Sequence, residues 1–159
     1  MKNWDLEEFK EYGFKGFVKI SELINNYNLI PEERGVYLIL KSDTPMPFLK
    51  IGNGGYFKKK DPNVDIEILQ QKWVENSQIL YIGQAGGIRK GTWSNSTLRK
   101  RLKQYCKFGQ GKAIGHLGGR YIWQLQNNQN LIVCWLSLPE KTIDPRGLEN
   151  ELICQFRFY

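Results

Sequence analysis

At 159 residues, 41% of them hydrophobic, the chain suits one domain with one modest core. It has no apolar run near the ~20 residues that cross a bilayer, no C-x-x-C pair among Cys106, Cys134 and Cys154, and one histidine, His116, which argues against a membrane span, a disulfide framework or a structural zinc. The net charge of +7 is concentrated: nine Lys or Arg and no Asp or Glu lie between Asn76 and Pro139, a field that attracts polyanions.

The start, "MKNWDLEEFKEY", is too charged for a secretory leader, so a reducing, cytoplasmic location is expected. Residues 1–30 read as a helical extension: acids open the first turn around Trp4, Leu6 and Phe9, and Ser21 is a candidate N-cap for "SELINNY". Residues 35–41, "GVYLILK", form a continuous β-rich run that should enter a core. Residues 42–77 carry prolines and glycines and then "VDIEILQQKWVEN", and read as an insertion containing a short helix. The run "ILYIG" at 79–83 predicts a second strand, with Tyr81 near its end and a glycine-rich turn behind it.

The helix signal is clearest in "NSTLRKRLKQYCKFG". Asn95 or Ser96 can cap it, Leu98, Leu102 and Tyr105 form one apolar stripe, and Gly109 ends it. Arg101 borders the stripe four residues before Tyr105, so their side chains share a face. The loop "GQGKAIGHLGG" and two strand-like runs, "RYIWQL" and "LIVCWLSL", follow. Asp144 and Pro145 then supply the N-cap and N1 of a final helix. Its buried stripe is Leu148, Leu152, Ile153 and Phe156, and Glu149 falls inside it, while Glu151, about 200° round the helix, faces solvent. An inward carboxylate is costly unless something compensates it.

In order along the chain, "GVY" at 35–37, "YIG" at 81–83, "LRKRLKQY" at 98–105 and "LENELI" at 148–153 together resemble the GIY-YIG nuclease superfamily. The matched core runs from Gly35 to Phe156, excluding the insertion, within a domain spanning 31–159. The resemblance implies an α+β fold with a small central antiparallel β-sheet of about three strands flanked by helices. It also implies metal-dependent hydrolysis of DNA phosphodiesters at a single Mg²⁺ or Mn²⁺. Carried over by position, Tyr37, Tyr81, Arg101, Tyr105 and Glu149 are the catalytic residues, and Glu149 is the metal ligand.

The chemistry suits those residue types. A phosphodiester repels hydroxide until its charge is offset, and Mg²⁺ commonly takes one carboxylate plus waters. Arg101 offers a planar fork that lysine cannot reproduce. Tyr37 is the candidate base, but a pKa near 10 leaves it only ~0.1% ionised at neutral pH, so a cation or proton relay is required. His116 is a candidate relay or phosphate contact. Arg89, Lys100, Lys103, Lys112 and Arg120 are candidate DNA-backbone contacts, whereas Trp93 and Trp123 are expected in packing roles.

Three departures from the pattern stand out. Residues 38–80 separate the two tyrosine motifs, where the family has a much shorter link. Gln84 stands where repair members often carry lysine. Many relatives have an Asn beyond the last helix, which Tyr159 precedes, so reduced activity is expected. Sequence preference would come from residues 1–30, the insertion or a homodimer; restriction, repair and mobile-element cutting all fit. The alternatives are a catalytically weak nucleic-acid-binding protein that keeps the fold, and a module whose basic segment docks an acidic protein.

Overall fold

The strand Gly35–Leu40 (β2) is buried along its whole length because it sits mid-sheet with both faces covered. In the computed structural model, which describes residues 1, 3–43, 45–116 and 119–158, the fold is α+β, with a four-stranded antiparallel sheet. The helices are α1 (Leu6–Tyr12), α2 (Ile20–Asn25), α3 (Ile66–Gln71), α4 (Leu98–Gly109) and α5 (Pro145–Arg157). The sheet order is β1 (Lys15–Lys19), β6 (Ile132–Ser137), β2 and β3 (Ile79–Ala85), and a two-stranded hairpin, β4 (Ile88–Arg89) with β5 (Thr92–Trp93), precedes α4. No helix among the described residues is long and apolar enough to cross a membrane.

Alternation along β2 sets the layers. Tyr37 and Ile39 point into a core with Leu98, Leu102, Tyr105 and Trp123, on the α4 side. Val36, Leu38 and Leu40 point the other way, to Trp4, Phe9, Leu148 and Leu152, on the side of α1 and α5. The final helix begins as expected: Asp144 accepts from the Arg146 amide at 3.1 Å and Pro145 occupies its first turn.

Four local expectations are corrected. The sheet has four strands rather than three, because residues 1–30 contribute β1, paired antiparallel to β6. That strand escapes pattern reading because a register shift interrupts it between Gly16 and Val18 and Phe17 has φ +57°. Helix α2 starts at Ile20 without a side-chain cap, so Ser21 is not the N-cap. Thr97, not Asn95 or Ser96, caps α4, its hydroxyl accepting from the Lys100 amide at 3.2 Å.

The fourth correction concerns "RYIWQL", which is not a strand but holds a 3-10 turn over Ile122–Gln124. Its polar groups are matched by the insertion instead. Gln124 Oε1 accepts from the Val64 amide at 2.6 Å, Nε2 donates to the Leu49 and Val64 carbonyls, and the Leu49 amide donates to the Gln124 carbonyl at 2.7 Å. The buried Gln124 thus helps stitch the insertion to the body, together with backbone bonds from Asn53 to Trp123 and from Gly55 to Phe108. Tyr159, where the sequence stops short of the expected Asn, lies outside the described residues.

Candidate functional site

The strand β2 alternates, the helix α4 repeats every three to four residues, and both periods deliver aromatic rings to one place. Tyr37 and Tyr105 are fully buried. The Tyr37 and Tyr81 rings stack at 6.0 Å with 30° between planes. Tyr105 meets Tyr81 at 5.9 Å and Tyr37 edge-on at 6.5 Å. Tyr81 thus lies within β3, half-buried, rather than held out at a strand end.

Gly83 makes the stack possible. It pairs with Tyr37 across the sheet, and a Cβ there would lie 2.4 Å from Tyr37 Cζ and 2.5 Å from its oxygen. The phenol crosses the space that any side chain would fill. Gly83→Ala is expected to destabilise the fold by ~1–3 kcal/mol through overpacking, lowering the thermal midpoint by roughly 2–4 °C per kcal/mol. A calorimetric midpoint equal to wild type would show that Tyr37 does not lie across Gly83.

The sequence makes His116 a candidate relay or phosphate contact in a loop amid positive charge. It is instead 1% exposed, with its ring edge-on to Tyr105 at 4.8 Å and 6.5 Å from Tyr81. Burial, assisted by the Arg101 charge, pushes its pKa down to about 3, so it is neutral at pH 7 and offers no positive charge to a phosphate. The unfolded chain binds a proton near pH 6.5 that the folded chain refuses until about pH 3. The stabilisation from keeping His116 neutral is therefore complete above about 6.5 and declines as pH falls towards 3. His116→Phe should flatten the fall of thermal midpoint across that window. An unchanged acid slope would count against a buried neutral imidazole.

Polar atoms in this cluster are left over. The Tyr37 and Tyr105 hydroxyls and both His116 nitrogens are buried without a well-formed hydrogen bond in the protein. Unmet buried groups cost ~1–3 kcal/mol each and are rare in native structures. Burial raises the Tyr37 and Tyr105 pKa values well above 10 and raises that of Tyr81. All three phenols are neutral at pH 7. Arg101, half-buried, opposes the effect at Tyr37 and Tyr81, so its guanidinium sits close to both.

Glu149 reaches the same centre from α5. The two helices flank opposite faces of the sheet, and β3 is its outer strand, so their side chains converge at that margin. The Glu149 charge acts on Tyr37 and Tyr81. Burial raises its own pKa, against the opposing charges of Arg146 and Arg101. No ion pair ties it to either; the ion pair among the described residues is Arg99–Glu32, at 2.8 Å. Arg101 is thus the common node, acting on Tyr37, Tyr81, His116 and Glu149.

No group of three or more His, Cys, Asp or Glu gathers as a metal site among the described residues. That donor set does not suit zinc. It does suit Mg²⁺ or Mn²⁺ held by one carboxylate and completed by waters and substrate oxygens, since Glu149 is half-buried and outside any ion pair.

The expected DNA contacts separate by environment. Lys100, Lys103 and Lys112 are exposed, with the Lys103 ammonium 5.5 Å from the Tyr27 ring centre. Arg120 is half-buried over the Tyr121 ring at 5.1 Å. Arg99, counted with the basic segment, is structural: besides Glu32 it donates to the Ile30 carbonyl at 2.7 Å. Arg89, exposed on β4, lines a cavity of about 180 Å³ together with Arg101 and Arg146. Arg146 was missed in the sequence, although its place three residues before Glu149 puts both on one helical face. Compared with protein-family models, with curated proteins and with solved structures, the chain finds no match.

Proposed function

We propose that this protein is a metal-dependent DNA endonuclease of the GIY-YIG type. The observation that carries the reading is the meeting of three phenols, an imidazole, a guanidinium outside any ion pair and a half-buried carboxylate from five separated stretches of chain. Buried polar groups short of partners are rare in packed cores and call for a functional account.

Arg101 clamps the nonbridging oxygens of the scissile phosphate with its paired donors. Glu149 would hold the cation, and a Mg²⁺ bound there would supply Lewis-acid offset of the charge that develops on the phosphate. Water forms the new O–P bond as the P–O3′ bond breaks, and the departing 3′-oxygen takes a proton from solvent, leaving a 5′-phosphate and a 3′-hydroxyl. Tyr37 orients that water. Because burial keeps it protonated, Tyr37 accepts the water's proton only by handing its own onward. Neutral His116, in ring contact with Tyr105 and Tyr81, is the nearest acceptor for that proton, reached once the phenol hydroxyls, which hold no hydrogen bond to it at rest, turn towards it. Burial is the larger cause of the low imidazole pKa and the Arg101 charge the smaller, so phosphate bound on Arg101 strengthens the imidazole as a base only in part.

A catalytically weak nucleic-acid-binding protein is the rival, favoured by the lone carboxylate and by Gln84, whose Oε1 accepts from the Gly87 amide at 3.1 Å. Supercoiled plasmid incubated with Mg²⁺ or Mn²⁺ separates the readings. Nicking that EDTA stops is expected; binding with no cleavage in either metal would leave only the rival.

A further inference from the structure

The 180 Å³ cavity beside Arg101 plays no part in the chemistry above. Its walls are Gln84 and Ala85 at the end of β3, Gly86 and Gly87 of the turn that follows, Arg89 of β4, Ser94 and Ser96 of the loop before α4, Arg101 of α4 and Arg146 of α5. Tyr37, Tyr81 and Glu149 are absent from that lining, so Arg101 is the residue that the cavity shares with the aromatic cluster.

Three arginines from three elements line this space, and none forms an ion pair among the described residues. Asp144, two residues from Arg146, has its carboxylate engaged by the Ile88 amide at 2.9 Å and the Arg146 amide at 3.1 Å. Glu149 tempers the charge of Arg146 only from a distance. Like charges facing one another repel unless an anion lies between them. Forked donors with two serine hydroxyls match tetrahedral phosphate oxygens. The volume is below the ~300–1,000 Å³ of pockets that take larger ligands, which favours a phosphate over a whole nucleotide.

We propose that this cavity is a second phosphate site, holding an internal phosphodiester that neighbours the scissile one, with Arg89 and Arg146 as its own ligands and Arg101 shared. The identity of the strand rests on the nuclease reading; the affinity for phosphate does not. The site would fix which phosphate reaches Glu149, acting as a register peg for the strand.

The test uses Arg89→Gln/Arg146→Gln with EDTA present, so no cleavage is involved. Both side chains are exposed, and an unchanged thermal midpoint checks the fold. Fluorescence anisotropy with an unphosphorylated DNA duplex should show affinity lowered by ~10–100-fold, the equivalent of one charge-assisted contact. The slope of log K against log salt should become shallower by about 0.9, one phosphate's worth. Inorganic phosphate should shift the amide resonances of Gly86, Gly87, Ser94 and Ser96 in wild type and not in the variant. An unchanged salt slope overturns the proposal. Phosphate shifts without a slope change would mark a small-anion site only, which also overturns it. Binding that requires a 5′-phosphate on the DNA would assign the cavity to a strand end instead and would equally overturn it. If wild type never cuts DNA but the slope changes as expected, the nuclease reading fails and this site stands.

Discussion

Glu149→Gln is expected to bind DNA like wild type and to cleave it about 10³-fold more slowly or worse. Glutamine keeps the volume and removes the negative charge that a divalent cation needs. The same change should not harm folding. Glu149 is half-buried, its ionised form is disfavoured by burial, and it lies in no ion pair; the uncharged amide relieves that desolvation. The thermal midpoint should stay level or rise as activity is lost. A midpoint several degrees lower, with activity falling in proportion, would make Glu149 a structural residue and remove the metal ligand from the proposal.

Arg101→Lys should be almost as damaging, by ~10²–10³-fold in cleavage rate, although formal charge is conserved. Lysine is a point donor and cannot hold two phosphate oxygens in a plane. A second readout belongs to this position alone. Arg101 depresses the pKa of His116 and opposes the burial-driven rise at Tyr37 and Tyr81. Arg101→Ala should therefore move the imidazole upward from about 3 towards its ordinary value, visible as an NMR titration at higher pH. Cleavage that survives in the alanine variant would end the phosphate-clamp role.

Elements with strong periodicity were legible in the sequence. The Tyr37 strand, the helix carrying Arg101 and Tyr105, and the final helix with its Asp144 cap all occur where their patterns predict. The site residues riding on them converge for that reason. His116 was harder to read because its glycine-flanked loop has no period; its burial depends on contact with Tyr105, a residue distant in space until the chain folds. Arg146 looks ordinary in "DPRGLEN" and gains meaning only once β4 and α4 lie beside it. The "RYIWQL" run has strand-like composition, yet Gln124 finds its partners in the insertion, so tertiary hydrogen bonds outweigh local preference.

The pairing of β1 with β6 changes how the molecule can be shortened. Trimming to the motif-bearing part from Pro31 onward would bare the backbone of β6 and leave its unpaired amides and carbonyls open to a neighbour's strand. It would also remove Ile20 and Leu23 from beneath α4. Such a fragment should self-associate into clumps, and its silence towards DNA would then reflect precipitation rather than missing chemistry.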